Sequence, residues 1–167
     1  FSQEVSLGIG KNKIPLEHGA TTYTLYGIQL ISYQDIKELK EKRLIEYLST
    51  LGYFKPGDKF YPQQDISKEE YAALLVRMLN IAPPQPTQSP YPDIALDRWS
   101  APSIQLLKDR KVFELAGNFQ PETAITQDEA AVWFKKLSTA NLGAVAPGNL
   151  KRTDLVRWLI KDKRVQA

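Results

Sequence analysis

The chain has 167 residues, of which 43% are hydrophobic, so it can bury the core of one domain or of two small ones. Its 22 Lys and Arg residues are nearly matched by 19 Asp and Glu residues, and the resulting net charge of +3 does not favour nucleic acid as a partner. The absence of cysteine excludes disulfides, thiolate metal sites and cysteine nucleophiles, and no apolar run approaches the ~20 residues that cross a bilayer.

Residues 1–31 are the least regular part of the sequence. Glycines are scattered among threonines and tyrosines, and residues 20–30 fit a helix and a strand equally well. A faint echo of the later repeats lies at residues 14–23. We therefore read residues 1–31 either as a poorly defined N-terminal segment or as a degenerate half repeat. The chain begins at Phe1 without a secretion signal, which is expected of a mature protein or of a piece of a longer one.

Residues 32–81 contain two predicted helices joined by a Phe-x-Pro loop. The segment opens with Tyr-Gln-Asp-Ile at 33–36, and leucines spaced for one helical face predict a first helix over residues 37–51, which Gly52 ends. Ser67-x-x-Glu70 is a capping box, in which the hydroxyl accepts a backbone N–H and the carboxylate reaches back to the cap. The apolar stripe behind this box predicts a second helix with one buried face.

A proline-rich linker, residues 82–90, leads to a second segment of the same design over residues 91–139. The four prolines of the linker favour an extended spacer over a helix. The second segment opens with Tyr-Pro-Asp-Ile at 91–94. Ser100 is the expected N-cap of a helix that runs to about Val112, and Thr126-x-x-Glu129 is a second capping box.

The two segments are copies of one another, and a shorter third copy follows. From the first helix onward, matching residues lie 59 positions apart, as in the pairs Ile45 and Ile104, Phe54 and Phe113, Phe60 and Phe119, and Ile66 and Ile125. Residues 140–167 repeat only the second helix. A fixed period predicts stacked units of supersecondary structure, so we expect an all-α fold of repeated helix-loop-helix units.

The order of motifs in the second copy resembles the S-layer homology repeat. Four motifs carry the resemblance: Tyr-x-Asp-Ile at 91–94, Trp-Ser-Ala at 99–101, Gly-x-Phe-x-Pro at 117–121 and Ile-Thr-Gln-Asp-Glu-Ala at 125–130. The first copy keeps the same frame, and the third keeps its Leu-Lys-Arg-Thr-Asp start at 150–154. The resemblance implies a helical bundle of repeats around a pseudo-threefold axis.

The same resemblance implies a non-catalytic module that anchors an extracellular protein to the bacterial cell wall or S-layer. The family's usual ligand is a secondary cell wall polymer with pyruvylated sugars, or a glycan linked to peptidoglycan. The implied partner is therefore a cell wall polysaccharide, and no cofactor is implied. The alternative is a protein-interaction or spacer module of a bacterial surface assembly, because the grooves between repeats accept peptides as well as sugars.

The resemblance also implies an anion-binding residue directly after the Ser or Thr cap of each second helix. The family has arginine there, whereas this chain has Lys68, Gln127 and Arg152. We rank Arg152 first, because its guanidinium offers a carboxylate two parallel donors, and Lys68 second; Lys151 lies beside Arg152. Helix N–H groups and the helix dipole are expected to support such a site, and Gln127 cannot form an ion pair. The alternative is that these are solvated first-turn residues.

Three more residues are candidates for sugar contact, each with a structural alternative. Asp35 and Asp93 could accept hydrogen bonds from sugar hydroxyls, but an Asp before a helix more often binds backbone N–H groups. Trp99 could stack on a sugar ring, whereas Trp133 and Trp158 lie on apolar helix stripes and are expected in the core. The loops over residues 55–65 and 114–124 are the expected contact surfaces.

No motif predicts an enzyme or a metal site. His18 is the only histidine and has no nucleophile motif to pair with. The Gly-Ile-Gly-Lys stretch at 8–11 completes no nucleotide-binding loop, and residues 58–70 lack the alternating acidic ligands of a calcium loop. We therefore expect no catalytic residue, no metal and no cofactor.

Overall fold

The computed structural model describes residues 5–166; residues 1–4 of the N-terminal segment and Ala167 lie outside the described part. The chain divides into two compact units, Phe1–Phe60 and Tyr61–Ala167, which we call unit 1 and unit 2. The elements in chain order are β1 (Gly10–His18), β2 (Thr21–Gln29), a 3-10 turn (Gln34–Ile36), α1 (Lys42–Thr50), α2 (Lys68–Leu79), α3 (Ala101–Asp109), α4 (Gln127–Leu137), α5 (Arg152–Leu159) and α6 (Lys163–Gln166). The boundary between the units falls inside the first copy, so α1 belongs to unit 1 and α2 to unit 2.

The prediction of an all-α fold is wrong, because β1 and β2 form an antiparallel hairpin. The strands pair from Gly10 with Gln29 to His18 with Thr21, and Gly19 provides the left-handed turn residue with φ +61°. Threonine and tyrosine recur along β2, and such side chains fit a pleated strand better than a helix. A helical half repeat over residues 14–23 is therefore not formed. The fold therefore contains both helices and strands.

In unit 1, aromatic side chains pin the Phe-x-Pro loop to the start of the first copy. The rings of Tyr33 and Phe54 meet the ring of Phe60 edge-on, with centroids 5.5 and 5.0 Å away. Asp35 accepts a hydrogen bond from the Phe60 N–H at 2.8 Å. The first helix begins at Lys42, later than predicted, because residues 37–41 form turns between the 3-10 turn and the helix.

Unit 2 contains the same local arrangement in the second copy. The rings of Tyr91 and Phe113 lie 5.6 and 5.3 Å from the ring of Phe119. Asp93 accepts hydrogen bonds from the N–H groups of Phe119 and Gln120, at 2.8 and 2.6 Å. The aromatic trio and the aspartate therefore recur at matching positions, which is the structural counterpart of the repeated sequence.

The core of unit 2 is built largely from the apolar faces of the second helices. Trp133 and Trp158 are 3% and 6% exposed, which confirms the prediction that both are core residues. Tyr71 of α2 is fully buried, and its hydroxyl donates to the Ala130 carbonyl of α4 at 2.9 Å. Burial raises the pKa of Tyr71, which favours the protonated hydroxyl that donates this hydrogen bond. Within residues 5–166 no helix has the length and apolar character that a bilayer span requires.

The predicted helix starts are present, but only one capping box is complete. Ser67 accepts from the Glu70 N–H at 3.3 Å, and the Glu70 carboxylate accepts from the Ser67 N–H at 2.9 Å. Thr126 accepts from the Glu129 N–H at 3.2 Å. Ser100 is the N-cap residue of α3, although its side chain makes no capping hydrogen bond, and α3 ends at Asp109, before the expected Val112.

A ring of loop and helix junctions as the candidate functional site

Three extended segments of unit 2, one from each copy, exchange backbone hydrogen bonds in a closed ring. The Ile66 N–H donates to the Leu150 carbonyl at 3.0 Å. The Leu150 N–H donates to the Ile125 carbonyl at 2.9 Å, and the Ile125 N–H donates to the Ile66 carbonyl at 2.9 Å, which closes the ring. All three side chains are buried, with Ile66 the most exposed at 2%. Because these residues lie just before α2, α4 and α5, the ring brings the starts of the three second helices together.

Each of these helices begins against the loop of another copy, and we name the three contacts the α2, α4 and α5 junctions. Loop carbonyls accept hydrogen bonds from the first N–H groups of each helix. At α2, the N–H groups of Lys68 and Glu69 donate to the carbonyls of Thr123 and Pro121. At α4, the Gln127 N–H donates to the Gly148 carbonyl, and at α5 the N–H groups of Arg152 and Thr153 donate to the carbonyls of Gln64 and Pro62. These N–H groups were expected to favour a bound anion. They donate instead to loop carbonyls of the fold, so the binding of a charged ligand at the junctions depends on side chains.

The α5 junction combines two cations with an exposed aromatic ring. Arg152 and Lys151 are both half-buried at the start of α5. Lys151 forms an ion pair with Asp65, which also accepts from Asn149 at 2.8 Å, and these two hydrogen bonds lower the pKa of Asp65. Tyr61 precedes the loop carbonyl that binds Thr153; it has a left-handed φ of 55° and is 57% exposed. The α5 junction therefore joins a helix start with two cations to a loop segment whose Tyr61 side chain is exposed.

Lys68 at the α2 junction is engaged by the neighbouring copy. Its ammonium lies 3.2 Å from a carboxylate oxygen of Glu129, and its side chain is only 13% exposed. This ion pair gives the Glu129 carboxylate a partner on another helix. An anion that approached Lys68 would have to compete with Glu129.

Beside Lys68, the buried carboxylate of Glu69 accepts hydrogen bonds from several side chains. Arg98 donates to both carboxylate oxygens, at 2.8 and 2.9 Å, and the Ser100 hydroxyl donates at 2.6 Å. Burial raises the pKa of Glu69, but hydrogen bonds from Arg98, Ser100 and Trp99 outweigh this effect and the net pKa is lowered. Arg98 also donates to Glu122 at 2.8 Å. Trp99 nevertheless keeps 57% of its surface exposed, so its ring can still meet a ligand.

The α4 junction has no cation at the first helical position. Gln127 donates from its amide to Asp154 across a long distance of 3.5 Å, and Arg157 donates to the other oxygen of Asp154 at 2.9 Å. Gln127 therefore supplies an amide where the other two junctions supply charge.

The structure uses Asp35 and Asp93 to hold the Phe-x-Pro loops. Their carboxylates bind backbone N–H groups, as the structural alternative expects, but the donors lie 25 to 27 residues downstream and not at a helix start. One of the donors, Gln120, has a left-handed φ of 59°, as has Tyr61 at the matching place in the first copy. Asp93 thus shapes the loop that borders the α2 junction, and Asp35 holds the matching loop of the first copy at Phe60, within unit 1.

Residues 90–131 run from the Tyr-x-Asp-Ile opening, through the loop held by Asp93, into α4. They match the S-layer homology domain. The resemblance drawn from the motifs is thereby confirmed for the second copy. S-layer homology domains are non-catalytic modules that bind cell walls at bacterial surfaces. No curated protein matches the chain.

The three copies share the backbone arrangement of the ring and differ in the side chains at the junctions. Sequence reasoning missed three residues there, which are Glu69, Arg98 and Tyr61. It predicted Ser100 as a helix cap and not as a donor to Glu69. The Arg98 and Glu69 side chains meet across 29 residues, a separation that no local pattern reveals. Tyr61 had a usable signal, since the matching position of the second copy is the polar Gln120, which indicates an exposed place in the loop. Within residues 5–166 no cluster of three or more metal-binding side chains is present.

Proposed function

We propose that the chain anchors a bacterial surface protein by binding an anionic cell wall polysaccharide at the α5 junction, without catalysis. The observation that carries this proposal is that Arg152, Lys151 and the exposed Tyr61 belong to one junction. An acidic sugar offers a carboxylate, which a guanidinium binds through two parallel hydrogen bonds, and an apolar C–H face, which an aromatic ring covers.

The other two junctions are less suited to an anion. At the α2 junction, Lys68 is already paired with Glu129 and is mostly buried. At the α4 junction, Gln127 is neutral and faces Asp154. Only the third copy has an arginine at this position, and an Arg is not interchangeable with Lys for two-donor recognition of a planar carboxylate.

We propose secondary roles for the remaining candidates. Trp99, exposed beside the α2 junction, would supply a second stacking surface for a neighbouring sugar of the same polymer. Lys151 would add long-range attraction while it stays paired with Asp65, and Asp35 and Asp93 would act through the shape of their loops. Weak contacts of this kind suffice for anchoring, because a polymer presents its epitope many times and a second contact is effectively intramolecular.

Co-sedimentation of the chain with purified wall sacculi tests the proposal. Arg152→Ala is expected to weaken binding by about 1.5–3 kcal/mol, or roughly ten- to 150-fold, the scale of a hydrogen bond to a charged group. Arg157→Ala is the matched control, because it removes the same charge from the far end of the same helix. Tyr61→Ala should also weaken binding, whereas Tyr61→Phe should not, since stacking needs the ring and not the hydroxyl. An unchanged affinity of folded Arg152→Ala would rule out the α5 junction.

A second comparison tests the ligand class. Sacculi stripped of their secondary polymer should bind less than intact ones, and a glycan array should prefer pyruvylated over unmodified sugars. Equal binding to stripped and intact sacculi would contradict a secondary polymer and leave peptidoglycan as the wall component bound. No binding to either preparation would favour the protein-interaction or spacer function.

A further inference from the structure

The hairpin of unit 1 has one apolar face. Residues that pair across an antiparallel ladder lie on the same face of the sheet, and the register puts Ile14 opposite Leu25 and Leu16 opposite Tyr23. Tyr23 and Leu25 are 56% and 52% exposed. A two-stranded hairpin is at best marginally stable in water, and independent stability requires three or more strands or packing against a helix. The hairpin is therefore suited to receiving additional strands.

The two edges of this hairpin differ in composition. β1 contains Lys11, Lys13, Pro15 and Glu17, whereas β2 contains neither a charged residue nor a proline in nine positions. Charged side chains and proline are the features by which proteins protect an edge from pairing with another strand. The β1 edge is protected in this way, and the β2 edge is not.

Pro15 also determines which backbone groups of β2 point outward. Proline has no N–H to donate within a ladder, so Pro15 and Thr24 form a non-hydrogen-bonded pair. In such a pair the backbone N–H and C=O groups point away from the partner strand. Hydrogen-bonded and non-hydrogen-bonded pairs alternate along an antiparallel ladder. The residues of β2 whose backbone N–H and C=O groups point away from β1 are therefore Thr22, Thr24, Tyr26 and Ile28. The unprotected edge therefore offers alternating donors and acceptors along the whole strand.

We propose that β2 pairs with β2 of a second copy of this chain, to give a four-stranded antiparallel sheet in the order β1-β2-β2-β1. A twofold axis through Leu25 sets Thr24 opposite Tyr26 of the second copy and Thr22 opposite Ile28 of the second copy. These four residues are the ones with outward backbone groups, so the register and the hydrogen bonding agree.

The side chains fit the same register. Leu25 meets Leu25 of the second copy on the axis, and the ring of Tyr23 lies beside Gly27 of the second copy, which leaves room for it. No like charges meet, because β2 is uncharged. The apolar faces of the two hairpins become continuous, and the sheet reaches the strand number that an independent sheet needs. A second copy satisfies all of these conditions at once because the edge is self-complementary.

Sedimentation velocity of the full 167-residue chain tests this proposal. The wild-type chain is expected to shift from monomer to dimer as its concentration is raised. Thr24→Pro removes an outward N–H from the β2 edge and should keep the chain monomeric. Glu17→Pro makes the same change on the protected edge and should leave dimerisation intact. A wild-type chain that stays monomeric, or a Thr24→Pro chain that dimerises like the wild type, would overturn the proposal.

A charge exchange on the axis tests the register. Leu25→Lys and Leu25→Glu each place two like charges face to face, so each variant alone should be monomeric. An equimolar mixture should dimerise again, because opposite charges then meet across the axis. Dimerisation of either variant alone, or the failure of the mixture to form a dimer, would overturn the axis through Leu25.

Discussion

Glu69 is a buried carboxylate that unit 2 keeps ionised. Its pKa is raised by burial and lowered more strongly by donors from Arg98, Ser100 and Trp99, so the net pKa lies below its usual value. A carboxyl group whose folded pKa is depressed stabilises the fold above its unfolded pKa, and this contribution is lost as the pH falls through the folded pKa. The stability of unit 2 at neutral pH therefore depends on the cation that faces this carboxylate.

Arg98→Ala is expected to lower the free energy of unfolding by about 2–3 kcal/mol at neutral pH, because it removes two hydrogen bonds from a buried charge. The loss should shrink in acid, where protonated Glu69 no longer requires a cation. Urea unfolding at neutral and acidic pH measures both quantities. Arg157→Ala removes a more exposed ion pair with Asp154 and should cost below about 1 kcal/mol. Equal losses for the two variants would show that the Glu69 carboxylate does not need Arg98.

At the scale of the element, the sequence predicts structure well where the deciding contacts are local. Ser67 and Glu70 form the predicted box because both partners lie within one helical turn. Glu129 occupies the same place in α4, yet its carboxylate pairs with Lys68, which is 61 positions away in the chain. No spacing rule within one helix could have predicted that partner.

The hairpin was missed because its two strands lack a clean alternation. Pro15 interrupts β1, and Gly27 shifts the apolar phase of β2, so Tyr23 and Leu25 lie on one face while Tyr26 and Ile28 lie on the other. Such a pattern fits a helix as well as a strand. The pairing of the two strands, which the linear pattern does not contain, decides between them.

The short helix α6 is held by one buried carboxylate. Asp162 is 4% exposed and accepts from the Arg164 backbone N–H and guanidinium, at 2.6 to 2.9 Å. Arg164 also donates to the Leu137 carbonyl at the end of α4, at 2.7 Å. The hydrogen bond from Arg164 lowers the pKa of Asp162 from its usual 3.8 to about 2, although burial opposes this shift.

This depressed pKa gives Asp162→Asn a specific pH dependence. The carboxylate stabilises the fold above its unfolded pKa, and the stabilisation is lost as the pH falls from 3.8 to about 2. We expect the variant to be less stable than the wild type by about 2 kcal/mol near neutral pH, and the difference to vanish near the folded pKa. Urea unfolding across this pH range measures the difference. A loss that does not change with pH would show that the charge of Asp162 is not what holds α6.

At the scale of the whole molecule, the three copies keep their shared geometry and differ in chemistry. The ring depends on backbone hydrogen bonds and on the buried side chains of Ile66, Ile125 and Leu150, which repeat in the sequence and made the family resemblance readable. The junctions combine residues from different copies; the Lys151 pair with Asp65, for example, spans 86 residues. The sequence therefore predicted the repeated unit, but not the partners of Lys68 and Gln127, which come from other copies. The ranking of Arg152 as the first ligand candidate stays a prediction.

The third copy closes the ring although it lacks a first helix, so its removal should affect the whole of unit 2. A chain ending at Ala140 loses the Leu150 carbonyl that binds the Ile66 N–H and the Leu150 N–H that binds the Ile125 carbonyl. It also uncovers the surface that the fully buried Leu155, Val156 and Leu159 occupy. We expect this chain to lose cooperative unfolding, because each deleted side chain of this kind contributes about 2–5 kcal/mol. Far-UV circular dichroism and tryptophan fluorescence in urea monitor the transition.

A chain that begins at residue 30 is the control, because it deletes the hairpin of unit 1 and leaves every residue of unit 2 in place. Its unit 2 should keep the cooperative transition of the wild type. If the chain ending at Ala140 instead unfolds with the wild-type midpoint, the first two copies are stable by themselves. The third copy would then be needed for its Arg152 and Lys151 at the α5 junction and not for the fold, a result that separates its binding role from its structural one.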